Sequence, residues 1–111
     1  SASLALTDLF ISLLDERLPD LDIVTPREHA RRGSQVSFRH PQAYGVVQAL
    51  IARGVIGDYR DDGPRPGIAR FGFAPLYLTT DDVRAAMDHL VAVLDGEEHL
   101  DPAYAERNAV T

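Results

Sequence analysis

Residues 68–77 read Ile-Ala-Arg-Phe-Gly-Phe-Ala-Pro-Leu-Tyr, an apolar run with one arginine set inside it. A β-strand alternates faces with period two, so Ile68, Arg70, Gly72 and Ala74 share one face while Ala69, Phe71 and Phe73 share the other. The phenylalanine face is predicted to be the core face. The arginine face carries small neighbours, which leaves space beside the guanidinium. A guanidinium over a small-residue floor suits a carboxylate, because it offers two parallel donors of fixed geometry. An ion pair within the domain meets the same spacing, since buried charges usually find partners. Spacing alone leaves both readings open.

Around this strand the chain reads as alternating helices and strands. Residues 4–18 predict an amphipathic helix, with Leu6, Leu9, Phe10, Leu13 and Leu14 at helical spacing and Pro19 and Asp20 ending it. Residues 21–24 predict a short edge strand, stopped by Thr25-Pro26. Residues 34–40 alternate as a strand with Val36 and Phe38 inward. Pro41 suits the first position of the next helix, which runs to about residue 53 with Tyr44, Val47, Leu50 and Ile51 as its stripe and Gly54 as its terminator. Residues 55–60 predict a strand. Residues 61–67, rich in Asp, Gly and Pro, predict a turn that joins it to the Arg70 strand as a hairpin with a longer loop than usual.

A last helix is expected over residues 81–94, with Val83, Met87, Leu90, Val91 and Leu94 inward and Gly96 closing it. Thr79 and Asp82 have capping-box spacing. The expected fold class is α+β, a small and mostly antiparallel sheet with helices on one face. The expected organisation is a linking helix at 1–20, a small domain at 21–96 and a mobile tail at 97–111 with a short helix near 103–107.

At 111 residues the chain is one domain, and its net charge of −6 argues against nucleic-acid binding, which needs a basic footprint. No apolar run approaches the roughly 18 residues of a membrane helix, no signal-peptide pattern stands at the start, and the absence of cysteine fits a cytoplasmic location. The other candidate groups have plain explanations. Asp61, Asp62, Asp81 and Asp82 are adjacent pairs that do not converge on one point, so turn formation and capping account for them. Gly63, Gly67 and Gly72 make no phosphate loop. His29, Arg31 and Arg32 form a small basic cluster on a loop, read as solvated or at an interface. His40 is placed to cap the second helix. His40, His89 and His99 together with His29 show no metal-ligand spacing, so no metal is expected.

Three blocks in collinear order resemble the small C-terminal domain of the kynureninase family, pyridoxal-phosphate enzymes of aminotransferase fold type I. They are residues 25–41 (Thr-Pro-Arg-Glu-His-Ala-Arg-Arg-Gly-Ser-Gln-Val-Ser-Phe-Arg-His-Pro), residues 52–60 (Ala-Arg-Gly-Val-Ile-Gly-Asp-Tyr-Arg) and residues 70–77 (Arg-Phe-Gly-Phe-Ala-Pro-Leu-Tyr). The resemblance covers about residues 3–95. It implies that Arg70 holds the α-carboxylate of a small amino-acid substrate, with Gly72 and Tyr77 near the site, and that closure of the domain brings Arg70 into place. It implies a parent that cleaves L-kynurenine to anthranilate and L-alanine in tryptophan catabolism, on the way to NAD biosynthesis. That parent is expected to have a large cofactor-binding domain in the same protein and to be a homodimer.

The basic residues set a limit on that resemblance. All eleven are arginines, so the chain has no lysine. Pyridoxal-phosphate enzymes hold the cofactor as a lysine Schiff base, and arginine cannot replace lysine there because its nitrogens stay protonated. The chain alone is therefore expected to bind no cofactor and to supply no catalytic residue. Two other readings stand beside this one: a free-standing amino-acid-binding module, and a dimerisation domain docking through its sheet or first helix.

Overall fold

The computed structural model describes residues 2–25, 35–72 and 78–105. Apolar residues at helical spacing wind α1, Ala2–Arg17. It buries Leu6, Phe10, Ile11 and Leu14, with Leu9 and Leu13 at the margin of the core. The buried face is shifted from the expected one, because Ile11 and the fully enclosed Thr7 belong to it. A two-residue strand, β1 (Asp22–Ile23), follows and pairs at the sheet edge with β2 (Gln35–Arg39). In β2, Val36 and Phe38 are completely buried, as the alternation predicts.

The next helix, α2, is Ala43–Ala52. Pro41 is not its first residue, contrary to expectation: Pro41 and Gln42 form a turn ahead of the helix. The backbone N–H of Gln42 donates to His40 Nδ1 at 2.9 Å, so the histidine caps this turn rather than the helix proper. The buried stripe is also broader than predicted. Ala43, Val46, Val47, Ala49 and Leu50 are enclosed while Ile51 is exposed. The helix ends as expected at Gly54, whose φ of +88° is left-handed backbone that glycine adopts without a Cβ clash. Gly54 N–H donates to Ile51 O and Val55 N–H to Leu50 O, which satisfies two of the last carbonyls.

Strands β3 (Asp58–Asp62) and β4 (Arg65–Gly72) form the hairpin. Its loop is shorter than predicted. The breaker-rich residues 61–67 are mostly strand, Asp62 pairs with Arg65, and only Gly63 and Pro64 lie between them. A bulge between Arg60 and Asp62 absorbs the irregular count, and Asp61 accepts a hydrogen bond from Gly63 N–H at 3.2 Å. The sheet order is β1-β2-β4-β3, antiparallel throughout. Helices α1 and α2 lie against one face, and α3 (Thr80–Asp95) packs on α1 and α2. The capping box at the start of α3 is present: Asp82 N–H donates to Thr79 Oγ1, and Thr79 N–H donates to the Asp82 carboxylate. Val83, Met87, Leu90 and Val93 are buried, so the inward stripe ends at Val93, with Val91 and Leu94 only partly covered. Each large apolar side chain enclosed in this core contributes about 1.5–3 kcal/mol relative to exposure.

After α3 the described chain continues to residue 105. A 3₁₀ turn at Glu98–Leu100 contacts α2 and α3, and residues 102–105 are helical. Gly45 sits under this turn, where an added Cβ would collide with the carbonyl oxygen of His99. The His99 ring is buried and meets His40 edge to face, with centroids 5.2 Å apart. Burial, and secondarily the charge of His99, push the His40 pKa below the ordinary 6.5.

The sign of that effect is fixed by linkage. The unfolded chain takes up a proton at His40 before the folded chain does, so the stabilisation is complete above about 6.5 and is lost as pH falls toward the folded value. The melting temperature of the wild type relative to His40→Asn, which keeps an acceptor for Gln42 N–H, should therefore fall between about pH 8 and about pH 5. A difference independent of pH would show that His40 takes up its proton equally readily in the folded and unfolded chain.

Candidate functional site

Strand β4 is internal to the sheet, flanked by β2 and β3. Its alternation is as predicted: Ala69 and Phe71 are buried against the helices, and Arg70 lies on the opposite face. Opposite Arg70 stand Ser37 on β2 and Asp58 on β3. Asp58 accepts two hydrogen bonds from the guanidinium, Nε to Oδ1 at 2.7 Å and Nη2 to Oδ2 at 3.1 Å. The in-domain ion pair that the spacing allowed is therefore present. These hydrogen bonds, and then the carboxylate charge, raise the Arg70 pKa above its ordinary value. The pair remains in contact with water, since the Arg70 side chain is 32% exposed and that of Asp58 is 56% exposed. Water screening makes such a pair a small contributor to stability.

Gly72 lies two residues on along the same face. Among the described residues a Cβ there would meet nothing closer than Gln35 Cγ at 4.0 Å. Tyr77, Phe73 and Ala74 lie outside the described residues, as do His29, Arg31 and Arg32. Asp58 was not singled out by its residue type or its neighbours. The hairpin closes at Asp62 and Arg65, and the bulge between Arg60 and Asp62 shifts the register by one so that Asp58 stands opposite Arg70.

The rest of the exposed sheet face is also charged. Arg39 on β2 reaches across β4 to Asp62, donates to Pro66 O at 3.0 Å and approaches Asp22 at 3.9 Å. The hydrogen bond from Arg39 holds the Asp62 carboxyl below its ordinary range. Asp62 thus serves an ion pair as well as the turn. On the helix side Arg53 grips Glu98 with two hydrogen bonds and contacts His89 Nδ1 at 3.1 Å. The Arg53 hydrogen bond lowers the Glu98 pKa. That cluster ties α2 and α3 to the 3₁₀ turn. Among the described residues no group of three or more His, Cys, Asp or Glu side chains is placed to hold a metal ion, and no helix is long and apolar enough to cross a membrane. Exposed large apolar residues among those described are Val24, Ile51, Ile56 and Leu100, which stand on separate segments of the chain.

The architecture defines a small α+β domain with one sheet face sealed by helices and the other presenting a paired, water-exposed arginine. The chain belongs to the family described as the kynureninase C-terminal domain, which it matches over residues 1–90. It is 53% identical over 111 residues to a kynureninase of Pseudomonas fluorescens, and 54% identical over 111 residues to kynureninases of Burkholderia mallei (strain SAVP1) and Burkholderia pseudomallei (strain K96243). Each comparison covers 98% of this chain and 26% of the relative, so the chain spans about a quarter of the length of these proteins.

Proposed function

We propose that this chain is the substrate-carboxylate-binding domain of a kynureninase-like hydrolase that cleaves L-kynurenine to anthranilate and L-alanine in tryptophan catabolism. The observation that carries this reading is Arg70, whose partly exposed guanidinium stands on the sheet face opposite the buried Ala69 and Phe71. Membership of the kynureninase C-terminal domain family supports it. In the parent, pyridoxal phosphate supplies the electron sink on which the bonds of the amino acid are broken. The residues of this chain do not fit that group, because none of them is a lysine. The cofactor belongs to the large domain of the same protein, and the parent is a cytoplasmic homodimer.

The contribution of this chain is positioning. Arg70 binds the α-carboxylate with paired, charge-assisted hydrogen bonds, which fixes one end of the amino acid. Fixing that end places the γ-carbonyl carbon, to which water adds, and the Cβ–Cγ bond, which then breaks, in correct position for the reaction. The test compares the 111-residue chain with the full-length protein for release of anthranilate from L-kynurenine. The full-length protein is expected to release it and the chain alone is not. Turnover by the chain alone, or none by the full-length protein, would overturn the reading.

A further inference from the structure

A guanidinium has two edges that can each bind a carboxylate through paired hydrogen bonds: a side edge, Nε with Nη2, and an end edge, Nη1 with Nη2. Asp58 occupies the side edge of Arg70. Among the described residues no acceptor is recorded for the end edge, and the side chain is 32% exposed. We propose that Asp58 is the positioning residue for Arg70, holding one edge so that the other is presented to the carboxylate of the ligand. This inference rests on the carboxylate-binding role of Arg70 proposed above.

Three features suit Asp58 to this work. It is the direct cross-strand partner of Arg70, so the two Cα atoms are fixed by the ladder itself. Its side chain is short and has little freedom of its own. Its strand position is pinned by the preceding residue, because a Cβ at Gly57 would collide with the Phe71 ring and the Arg70 carbonyl oxygen. A long arginine without a partner samples many rotamers, and binding must then freeze one of them. With Asp58 in place that ordering is complete before the ligand arrives, which is preorganisation. The pair is also neutral as a whole, so recognition of the ligand rests on the geometry of the end edge more than on net charge.

The test uses the full-length enzyme and three variants: Asp58→Asn, Arg70→Gln and the double variant. Asparagine turns an amide donor toward a guanidinium donor, which breaks the fork while keeping the size of the side chain. Asp58→Asn is expected to raise KM for L-kynurenine about tenfold with kcat falling by less than about threefold. The double variant is expected to match Arg70→Gln alone, because Asp58 acts only through Arg70. A merely structural role would instead add its own loss to the double variant, and would overturn the proposal. A fall in KM for Asp58→Asn would show that Asp58 competes with substrate for the arginine, which also overturns it. An unmoved KM beside a raised KM in Arg70→Gln sinks the role of Asp58 and leaves the role of Arg70 standing. Should Arg70→Gln itself leave KM unchanged, the carboxylate reading fails and this inference fails with it. If Asp58→Asn melts well below the wild type, Asp58→Ser provides the same KM comparison.

Discussion

Replacing Arg70 by alanine in the full-length enzyme is expected to lower kcat/KM for L-kynurenine by about a hundredfold, a loss typical of truncating one partner of a ligand charge pair. The loss comes from removal of the fork that orients the α-carboxylate. Arg70→Lys should recover only part of the loss, since an ammonium restores charge but not the planar pair of donors. The melting temperature should hardly move, because the pair is exposed to water on the surface of the sheet. Steady-state kinetics beside a thermal melt separates these claims. Turnover within about twofold of the wild type would remove Arg70 from substrate binding.

The neighbouring residue is expected to behave in the opposite way. Phe71→Ala should destabilise the 111-residue chain by about 3–5 kcal/mol, the usual cost of emptying an aromatic from a core. Phe71 stacks on Phe38 with ring centroids 5.8 Å apart and meets Phe10 at 6.4 Å, so its loss opens a cavity between β2, β4 and α1. Domains of this size hold about 5–15 kcal/mol in total, so the variant should sit close to its unfolding threshold. Urea denaturation measures this directly. A shift below about 1 kcal/mol would mean that the core collapses into the gap. Adjacent residues on one strand therefore divide the work: Arg70 is predicted to change catalysis without stability, and Phe71 stability before catalysis.

The placing of Arg70 and Phe71 on opposite faces was legible in the sequence because period-two alternation is a strong signal when aromatics fall on one side and small residues on the other. The capping box at Thr79 and Asp82 and the stop at Gly54 were legible for a similar reason, each being set by residues within one helical turn. What was not legible depended on distant packing. Ile11 and Thr7 are buried in a helix that packs on α3 as well as on the sheet, and nothing in the local spacing of α1 announces that second neighbour. Pro41 satisfied the chemistry of a first helical residue, yet the His40 ring took the Gln42 N–H and held the chain in a turn. The breakers at 61–67 looked like loop because their composition is turn-like. Strand pairing nevertheless runs through Asp62 and Arg65, and a bulge takes up the misfit. Asp58 as the partner of Arg70 depended on where that hairpin closes, and composition alone leaves several closures open.

The internal position of β4 has a consequence for motion. Arg70 is mounted on a strand paired on both sides, at Ser37 and at Asp58, and backed by the buried Ala69 and Phe71. Amide protons in such a strand exchange with solvent only when the domain opens as a whole. The backbone carrying the guanidinium is thus among the least deformable parts of the molecule. Any travel of that backbone toward a ligand must be a rigid displacement of the entire domain, leaving the slow-exchange pattern of β4 the same before and after.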